Sequence, residues 1–286
     1  MSDAAAREDA VPQREAAPRR EAAASARDAA VCDRLFCLTL GWEYVPEFVS
    51  LEGGSRAVLR EPVIAIVARS PIGWVLLETG IDARRFRGGA SPLYRDGAPE
   101  FPTDGDPLLD ALASVGLAPG DLALAAVSHL HIDHAGGLRH LAAAGVEVAI
   151  QRRELAFGLE RAGEPEFYLR EDYSHPELRW RQLDGDAPIA PGIDAISTPG
   201  HAPGHMSYRV TMAESGTWIF AIDAIDLGRG IAEDRCIGWA ADPADDPLRR
   251  RSHDRLVALA AAEDARLVPG HCPETWPALA HAEGFR

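Results

Sequence analysis

The fold is decided by one short stretch at residues 128–137, which reads Ser128-His129-Leu130-His131-Ile132-Asp133-His134-Ala135-Gly136-Gly137. Three imidazoles and one carboxylate fall within six of these residues, behind an apolar run and ahead of two glycines. Imidazole nitrogen and carboxylate oxygen together suit a divalent metal ion, most naturally zinc. A chance occurrence of this spacing is on the order of one in a thousand, so the stretch predicts a metal site.

The spacing inside this stretch predicts two groups of ligands. In an extended segment His129 and His131 project to the same side, because side chains alternate with a period of two. Asp133 and His134 follow where the chain turns into a helix, so they project in a different direction. One tetrahedral ion cannot readily accept all four groups, whereas a second ion beside the first could take the later two.

The bulk composition indicates a globular protein with an acidic surface. The 286 residues are 47% hydrophobic and 26% charged, and the net charge is −15. A negative field repels phosphate backbones and anionic lipids, so we expect neither nucleic acid nor membrane as a partner. With no apolar run of about 18 residues and no signal-peptide core, we expect a cytoplasmic location. The sparse cysteines predict reduced thiols.

The chain divides into a tail and one folded domain. Residues 1–31 are rich in Ala, Arg and Glu and contain no aromatic residue, which predicts a disordered or weakly helical tail. A partner-binding or dimer-swapping helix is the alternative there. The folded domain is expected over residues 32–286.

Within that domain, apolar runs alternate with helical patterns. Helices are predicted at 106–116, with Asp106 as cap and Pro107 in the first turn, and at 136–144, 152–162 and 247–262. Strands are predicted at 34–40, 42–49, 63–68, 74–79, 121–128, 146–150, 193–198, 206–211, 217–223 and 266–268. Because each half carries strands with helices at its end, a layered α/β body is favoured over an all-β sandwich or a helical bundle.

Three further candidate ligands stand at the ends of predicted strands. His201 follows one strand and a Pro-Gly turn, Asp223 ends the apolar run before it, and His271 follows the last strand. A carboxylate at the end of an apolar strand is costly unless it is paired or binds a cation. The two oxygens of Asp223 can bridge two metal ions, and Asp226 competes for that role.

Two longer phrases carry a resemblance. Residues 128–137, and the later stretch Thr198-Pro199-Gly200-His201-Ala202-Pro203-Gly204-His205, resemble the metallo-β-lactamase superfamily, and within it the N-acyl-homoserine lactonase branch. The resemblance covers residues 35–280 and leaves out the tail. It implies a four-layer αβ/βα sandwich with a dinuclear metal site at one edge.

The resemblance also implies roles for individual residues. One metal would be held by His129, His131 and His201, the other by Asp133, His134 and His271, with Asp223 and a hydroxide bridging the pair. The implied cofactors are two divalent ions, Zn²⁺ first, with Co, Mn or Fe as alternatives. Such a pair lowers the pKa of a bridging water and polarises a carbonyl. Asp133 would be the catalytic residue that passes a proton to the departing alkoxide.

Two positions depart from the family pattern. The usual Asp-Thr-Gly after an early strand is Glu78-Thr79-Gly80 here, and the extra methylene could shift a hydrogen bond near the metals. Known lactonases place a tyrosine three residues after the bridging aspartate, where its hydroxyl contacts the lactone carbonyl. This chain has Asp226 there, and an ionised carboxylate cannot donate a hydrogen bond.

The implied function is that of a quorum-quenching lactonase, a hydrolase that opens N-acyl-homoserine lactones. A homodimer is a further expectation. Alternatives are a glyoxalase II-like thioesterase, an organophosphate or aryl ester hydrolase, and a non-catalytic, metal-stabilised signal-binding protein. The substrate pocket is expected to include Asp226 and aromatic residues of an insertion at 163–180, although ordinary packing explains aromatic residues equally well. The aromatic candidates are Phe167, Tyr168, Tyr173 and Trp180, with Trp42, Tyr44 and Phe48.

Overall fold

The computed structural model describes residues 31–87, 94, 96–160 and 167–286. Their strands form two sheets. The first sheet keeps the sequence order β1 to β6, with β1 Arg34–Pro46, β2 Val58–Ser70, β3 Gly73–Leu77, β4 Leu122–Ala126, β5 Glu147–Gln151 and β6 Arg179–Leu183. The second sheet has the order β11-β10-β9-β8-β7, with β7 Ala187–Ala190, β8 Ile193–Ser197, β9 Met206–Met212, β10 Gly216–Ile222 and β11 Arg266–Pro269.

Both sheets are mixed. In the first sheet β1, β2 and β3 pair antiparallel, while β3 to β6 run parallel. In the second sheet only the β10–β11 pair is parallel. The parallel strands β4 and β5 lie inside the sheet, and their apolar residues other than Ala123 are buried. The chain leaves each strand at the carboxyl end of the sheet.

Helices flank the two sheets. They are α1 Glu47–Ser50, α2 Pro107–Ser114, α3 Ile132–Ala135, α4 Leu138–Ala144, α5 Arg152–Glu160, α6 Arg170–Tyr173, α7 Gly228–Ala232 and α8 Asp246–Glu263. The predicted start of α2 is confirmed, since the Asp106 side chain accepts a hydrogen bond from the Leu109 backbone N–H and Pro107 lies in the first turn. Among the described helices, none is long and apolar enough to cross a membrane.

Three apolar clusters fill the spaces between layers. Alternation along β3 shows the pattern, because Leu76 packs in the cluster that contains the helical residues Leu108 and Leu138, while Val75 and Leu77 face the second sheet. A third cluster joins the second sheet to Leu256 of α8. The order helix, sheet, sheet, helix confirms the predicted layered α/β sandwich.

The predicted elements differ from the structure mainly at the sheet edges. Strands β6 and β7 were not predicted, because β6 (Arg179–Leu183) is polar and partly exposed and β7 contains Pro188. The predicted tail, apart from residue 31, lies outside the described residues, as do residues 161–166 of the helix and the insertion. The four cysteines are free and buried.

Candidate metal centre

All seven candidate ligands come together at one edge of the sandwich. His129 and His131 follow β4, and α3 carries Asp133 and His134. The second sheet contributes its candidates from the segments that follow β8, β10 and β11, namely His201, Asp223 and His271. The carboxyl ends of these strands therefore supply ligands from both halves of the chain, as open α/β sheets do at their binding sites.

Three imidazoles form the first group. His131 Nδ1 lies 2.9 Å from His129 Nε2 and 3.0 Å from His201 Nε2. Burial lowers the pKa of His129 and of His131 well below the usual value, so their nitrogens present lone pairs. Three nitrogens facing one another cannot all be satisfied by shared protons, whereas one cation can bind all of them. The donor set fits a divalent metal.

The second group combines two carboxylates with two imidazoles. Oδ2 of Asp133 lies 2.9 Å from Nε2 of His134, and Nε2 of His271 lies 3.1 Å from Oδ1 of Asp223. Burial disfavours charge on His134, yet Asp133 and Asp223 outweigh burial and raise its pKa well above the usual value. The four candidate ligand atoms lie within 4.8 Å of one another, close enough for one ion.

Asp223 joins the two groups. Its Oδ1 lies 3.2 Å from His134 Nε2, and its Oδ2 lies 3.3 Å from His201 Nε2 and 3.8 Å from His129 Nε2. Each oxygen thus faces a different group. Asp226, the alternative bridging residue, belongs to neither group.

The backbone holds Asp223 and His271 side by side. Ile222, directly before Asp223, has φ of +50°, a conformation that β-branched residues rarely adopt. Gly270, directly before His271, packs against Ile222 so closely that a Cβ there would lie 2.6 Å from the Ile222 carbonyl oxygen. A side chain at position 270 would therefore push the two ligands apart.

Glu78 orients ligands of both groups. It is fully buried at φ +71°, and its Oε2 lies 2.6 Å from Nδ1 of His134. Its Oε1 accepts hydrogen bonds from the Ser128 backbone N–H (2.8 Å) and from the Tyr208 hydroxyl. Ser128 Oγ in turn lies 2.8 Å from Nδ1 of His129. The longer glutamate therefore connects the two ligand groups through Ser128.

Glu154, which the sequence did not reveal, ties the two motif loops together. Its buried carboxylate accepts hydrogen bonds from the backbone N–H of Leu130 (3.0 Å) and of Gly204 (2.9 Å). The Tyr168 hydroxyl donates a third bond of 2.9 Å. One carboxylate therefore fixes the spacing between residues 128–137 and 198–205.

A cavity of about 230 Å³ opens over the ligand groups. Phe167 and Asp226 lie on its wall, as predicted for the substrate pocket, and so does Tyr44. The described residues that line it also include four that the sequence did not single out: Glu43, Glu61, Tyr94 and Trp239. They lie on β1, β2 and irregular segments far from the motifs. A signal was present in Glu43, since an acidic residue inside a predicted strand is unusual.

Tyr168 and Tyr173, which were predicted for the substrate pocket, do not line the cavity among the described residues. Both are buried away from the walls that the described residues form. Their hydroxyls are already used, by Glu154 and by the Gly158 carbonyl oxygen at 2.8 Å. Buried tyrosines find partners in the core, and these two support the site from behind. The wall formed by the described residues also excludes Trp42, Phe48 and Trp180.

The carboxyls on the cavity wall are strongly perturbed. Burial, and then Asp133, raise the pKa of Glu43 to about 8, and burial raises that of Glu61 to about 7. Burial and the neighbouring Asp223 raise the pKa of Asp226 well above its usual range. Full ionisation of these carboxyls at neutral pH therefore requires a cation close by.

Comparison with known proteins agrees with this architecture. N-acyl homoserine lactonase AttM of Azorhizobium caulinodans is 29% identical over 254 residues, which cover 83% of this chain and 92% of the relative. N-acyl homoserine lactonase AiiA of Bacillus thuringiensis subsp. kurstaki is 33% identical over 171 residues, covering 58% and 65%. A solved N-acyl homoserine lactone hydrolase with N-hexanoyl-L-homoserine at its catalytic metal centre superposes with a TM-score of 0.77 at 25% identity, covering 90% of this chain and 100% of that one.

A family model completes the comparison. The model described as "Metallo-beta-lactamase superfamily" matches residues 60–271, a span that begins in β2 and ends at His271. The resemblance read from the two motif phrases is therefore confirmed. The chain belongs to the metallo-β-lactamase superfamily.

Proposed function

We propose that this protein is a metal-dependent hydrolase that opens lactone rings, with N-acyl homoserine lactones as the first candidate substrates. The observation that carries the proposal is Asp223, whose two oxygens face two separate ligand groups at the base of an open cavity. Relatives that align over most of this chain are named N-acyl homoserine lactonases.

The proposed cofactors are two divalent metal ions, with Zn²⁺ expected and Co, Mn or Fe as alternatives. One ion would be held by His129, His131 and His201, the other by Asp133, His134 and His271, and Asp223 would serve both. Such ions, when bound, acidify a water molecule and polarise the carbonyl oxygen of an ester. The buried, converging nitrogens of the first group support this assignment.

Asp133 is the proposed catalytic residue. It lies on the cavity wall, where Oδ2 faces His134 and leaves Oδ1 as the oxygen that carries a proton. In the proposed reaction the elements of water add across the ring ester bond. Asp133 takes the proton from the water and delivers it to the ring oxygen as the C–O bond breaks. The product is the ring-opened hydroxy acid.

Phe167 and Trp239 are proposed to cover the bound substrate. Their ring centroids lie 5.7 Å apart, and the Trp239 ring lies 5.6 Å from the rings of both His131 and His201. These two aromatic side chains form an apolar roof beside the histidines. Such a roof would exclude bulk water from the ester during hydrolysis.

The test is the ring-opening of N-hexanoyl-homoserine lactone by purified, zinc-loaded protein, with metal content measured on the same sample. Turnover well above a His129→Ala control and about two equivalents of metal are expected. Hydrolysis of thioesters but no lactone would point to a glyoxalase II-like enzyme instead. Two bound metal ions with no turnover of any ester would point to a signal-binding protein.

The homodimer, the cytoplasmic location and the domain limits at residues 32–286 stay predictions. Light scattering of the purified protein would test the first of them.

A further inference from the structure

Three carboxyl groups form one wall of the cavity, which we call the acidic wall: Glu43, Glu61 and Asp226. All three are buried, with at most 5% of each residue exposed. None belongs to the groups of described residues that are compact enough to hold a metal ion. Among the described residues that line the cavity, none is an arginine or a lysine that could pair with these carboxyls.

The register of the first sheet places two of these residues face to face. Glu43 on β1 and Glu61 on β2 are direct Cα partners across the antiparallel pair, so their side chains point to the same side. Like charges directly opposite one another destabilise a sheet. A buried pair of this kind therefore points to a requirement outside the sheet itself.

The hydrogen bonds of the acidic wall are incomplete. Tyr94 donates its hydroxyl to Oε2 of Glu43 at 2.7 Å, and Ser50 donates to Oε2 of Glu61 at 3.0 Å. Among the described residues, Oε1 of Glu61 and Oδ1 of Asp226 have no hydrogen-bond partner although both atoms are buried. Buried acceptors without a donor are rare in folded proteins, because desolvation is then uncompensated. Both residues line the cavity, so a small rotation of each carboxyl would let a bound molecule supply the donors.

The acidic wall adjoins the second ligand group. Oε1 of Glu43 lies 3.6 Å from Nδ1 of His271, and the backbone carbonyl of Asp226 accepts a hydrogen bond of 3.0 Å from the His271 N–H. A donor that reaches Glu61 and Asp226 therefore sits close to the place where the ester would react. A cationic donor suits this wall, because a positive group beside buried carboxyls favours their ionised form, which then accepts its hydrogen bonds.

We propose that the preferred substrate is a lactone with a short ammonium side chain, such as aminomethyl, on the carbon next to its carbonyl, and that Glu61 and Asp226 accept the hydrogen bonds of this ammonium group. This inference rests on the proposed lactonase function and selects, among lactones, those that carry a charged nitrogen, unlike the uncharged amide of an N-acyl homoserine lactone. It also gives Asp226 a role that a tyrosine could not fill, because a phenol carries no charge at neutral pH.

The test compares two lactones of almost equal shape. Zinc-loaded protein is assayed with γ-butyrolactone carrying either an aminomethyl or an ethyl group on the carbon next to the carbonyl. The aminomethyl lactone should have a kcat/KM higher by on the order of tenfold or more, as expected for hydrogen bonds to charged groups. Glu61→Gln and Asp226→Asn should bring this ratio close to one. Glu214→Gln, which removes an exposed carboxyl at the other end of the β9–β10 hairpin, should leave it unchanged.

The outcomes separate the two proposals. If no lactone is opened, including N-hexanoyl-homoserine lactone, the proposed function fails. If lactones are opened but the ethyl compound is turned over as well as the aminomethyl compound, the ammonium proposal is overturned. A high ratio that persists in both variants also overturns it, because selectivity then arises elsewhere. In that case altered zinc affinity in the variants would show that the carboxyls only balance the charge of the metal ions.

A measurement on the wild-type protein keeps the test independent of the variants. Ethylammonium chloride should inhibit the opening of the ethyl lactone competitively, while sodium chloride at the same ionic strength should not. Equal effects of the two salts would contradict the proposal.

Discussion

The cavity has two walls that are built in different ways. The metal-facing wall consists of the seven candidate ligands delivered by the segments after β4, β8, β10 and β11, and Glu78 and Glu154 hold these segments in place. The acidic wall comes mainly from β1 and β2, and two of its oxygens have no partner among the described residues. The first wall is complete apart from a cation. The second wall lacks hydrogen-bond donors for these two oxygens, so we assign the chemistry to the first wall and the choice of substrate to the second.

The largest effect is expected from removing the residue shared by both ligand groups. Asp223→Ala should lower kcat/KM on the order of 10³-fold or more and should reduce the metal content, because each group loses a ligand. Asp184→Asn, an exposed carboxyl on the surface, is the matched control. Retention of both metals in Asp223→Ala would show that the two groups do not depend on a common carboxylate.

A smaller effect is expected behind the metal-facing wall, at Glu78. Glu78→Gln should weaken zinc binding by about 10–100-fold, because a neutral amide orients His134 less firmly than a carboxylate. Competition with a chromophoric chelator measures this change. Glu78→Asp keeps the charge and shortens the side chain, so it separates the effect of side-chain length on zinc affinity from the effect of charge. Unchanged zinc affinity in both variants would show that Glu78 does not orient the candidate ligands.

The link between the two motif loops can be broken at Glu154. Glu154→Ala leaves the N–H groups of Leu130 and Gly204 and the hydroxyl of Tyr168 without their acceptor, so stability should fall by about 2–4 kcal/mol. Tyr168→Phe removes one bond only and should cost about 1 kcal/mol. Urea unfolding of the zinc-loaded variants compares the two. Equal losses would mean that the backbone bonds to Glu154 contribute little.

The smallest effect concerns pH and the acidic wall. Burial raises the pKa of Glu61 from 4.5 to about 7 in the folded metal-free protein. The folded state therefore holds this proton more tightly than the unfolded state, and its contribution to stability is present below pH 4.5 and lost as the pH rises through 7. Glu61→Gln should make the fall in stability of metal-free protein over this pH range shallower. Parallel profiles of wild type and variant, measured by urea unfolding, would contradict the expected burial effect.

The same two walls show what the sequence could and could not predict. The candidate ligands that the structure brings together were identified because short motifs and strand ends carry them, and both are local patterns. The layered fold followed from the apolar runs. Glu43 and Glu61 were missed because their meaning depends on the pairing of β1 with β2, which local patterns do not reveal.

The differences between the predicted and the observed pocket lining have a similar origin. Tyr168 and Tyr173 were predicted as pocket residues because an aromatic insertion near a motif favours a binding site. Their hydroxyls instead donate hydrogen bonds to Glu154 and to the Gly158 carbonyl oxygen. Trp239 was missed because it lies in an irregular segment without periodicity. In each case the contacts that decide the role come from distant parts of the chain.

The division of the ligands between the two sheets has a consequence for biosynthesis. His129, His131, Asp133 and His134 leave the ribosome early, but His271 follows β11, the last strand of the second sheet. The histidine-rich stretch therefore waits, with an incomplete set of partners, while the whole second sheet is being made. In the proposed metal centre, tight metal capture requires both sheets to have come together, so full loading would report that translation and folding have reached the last strand.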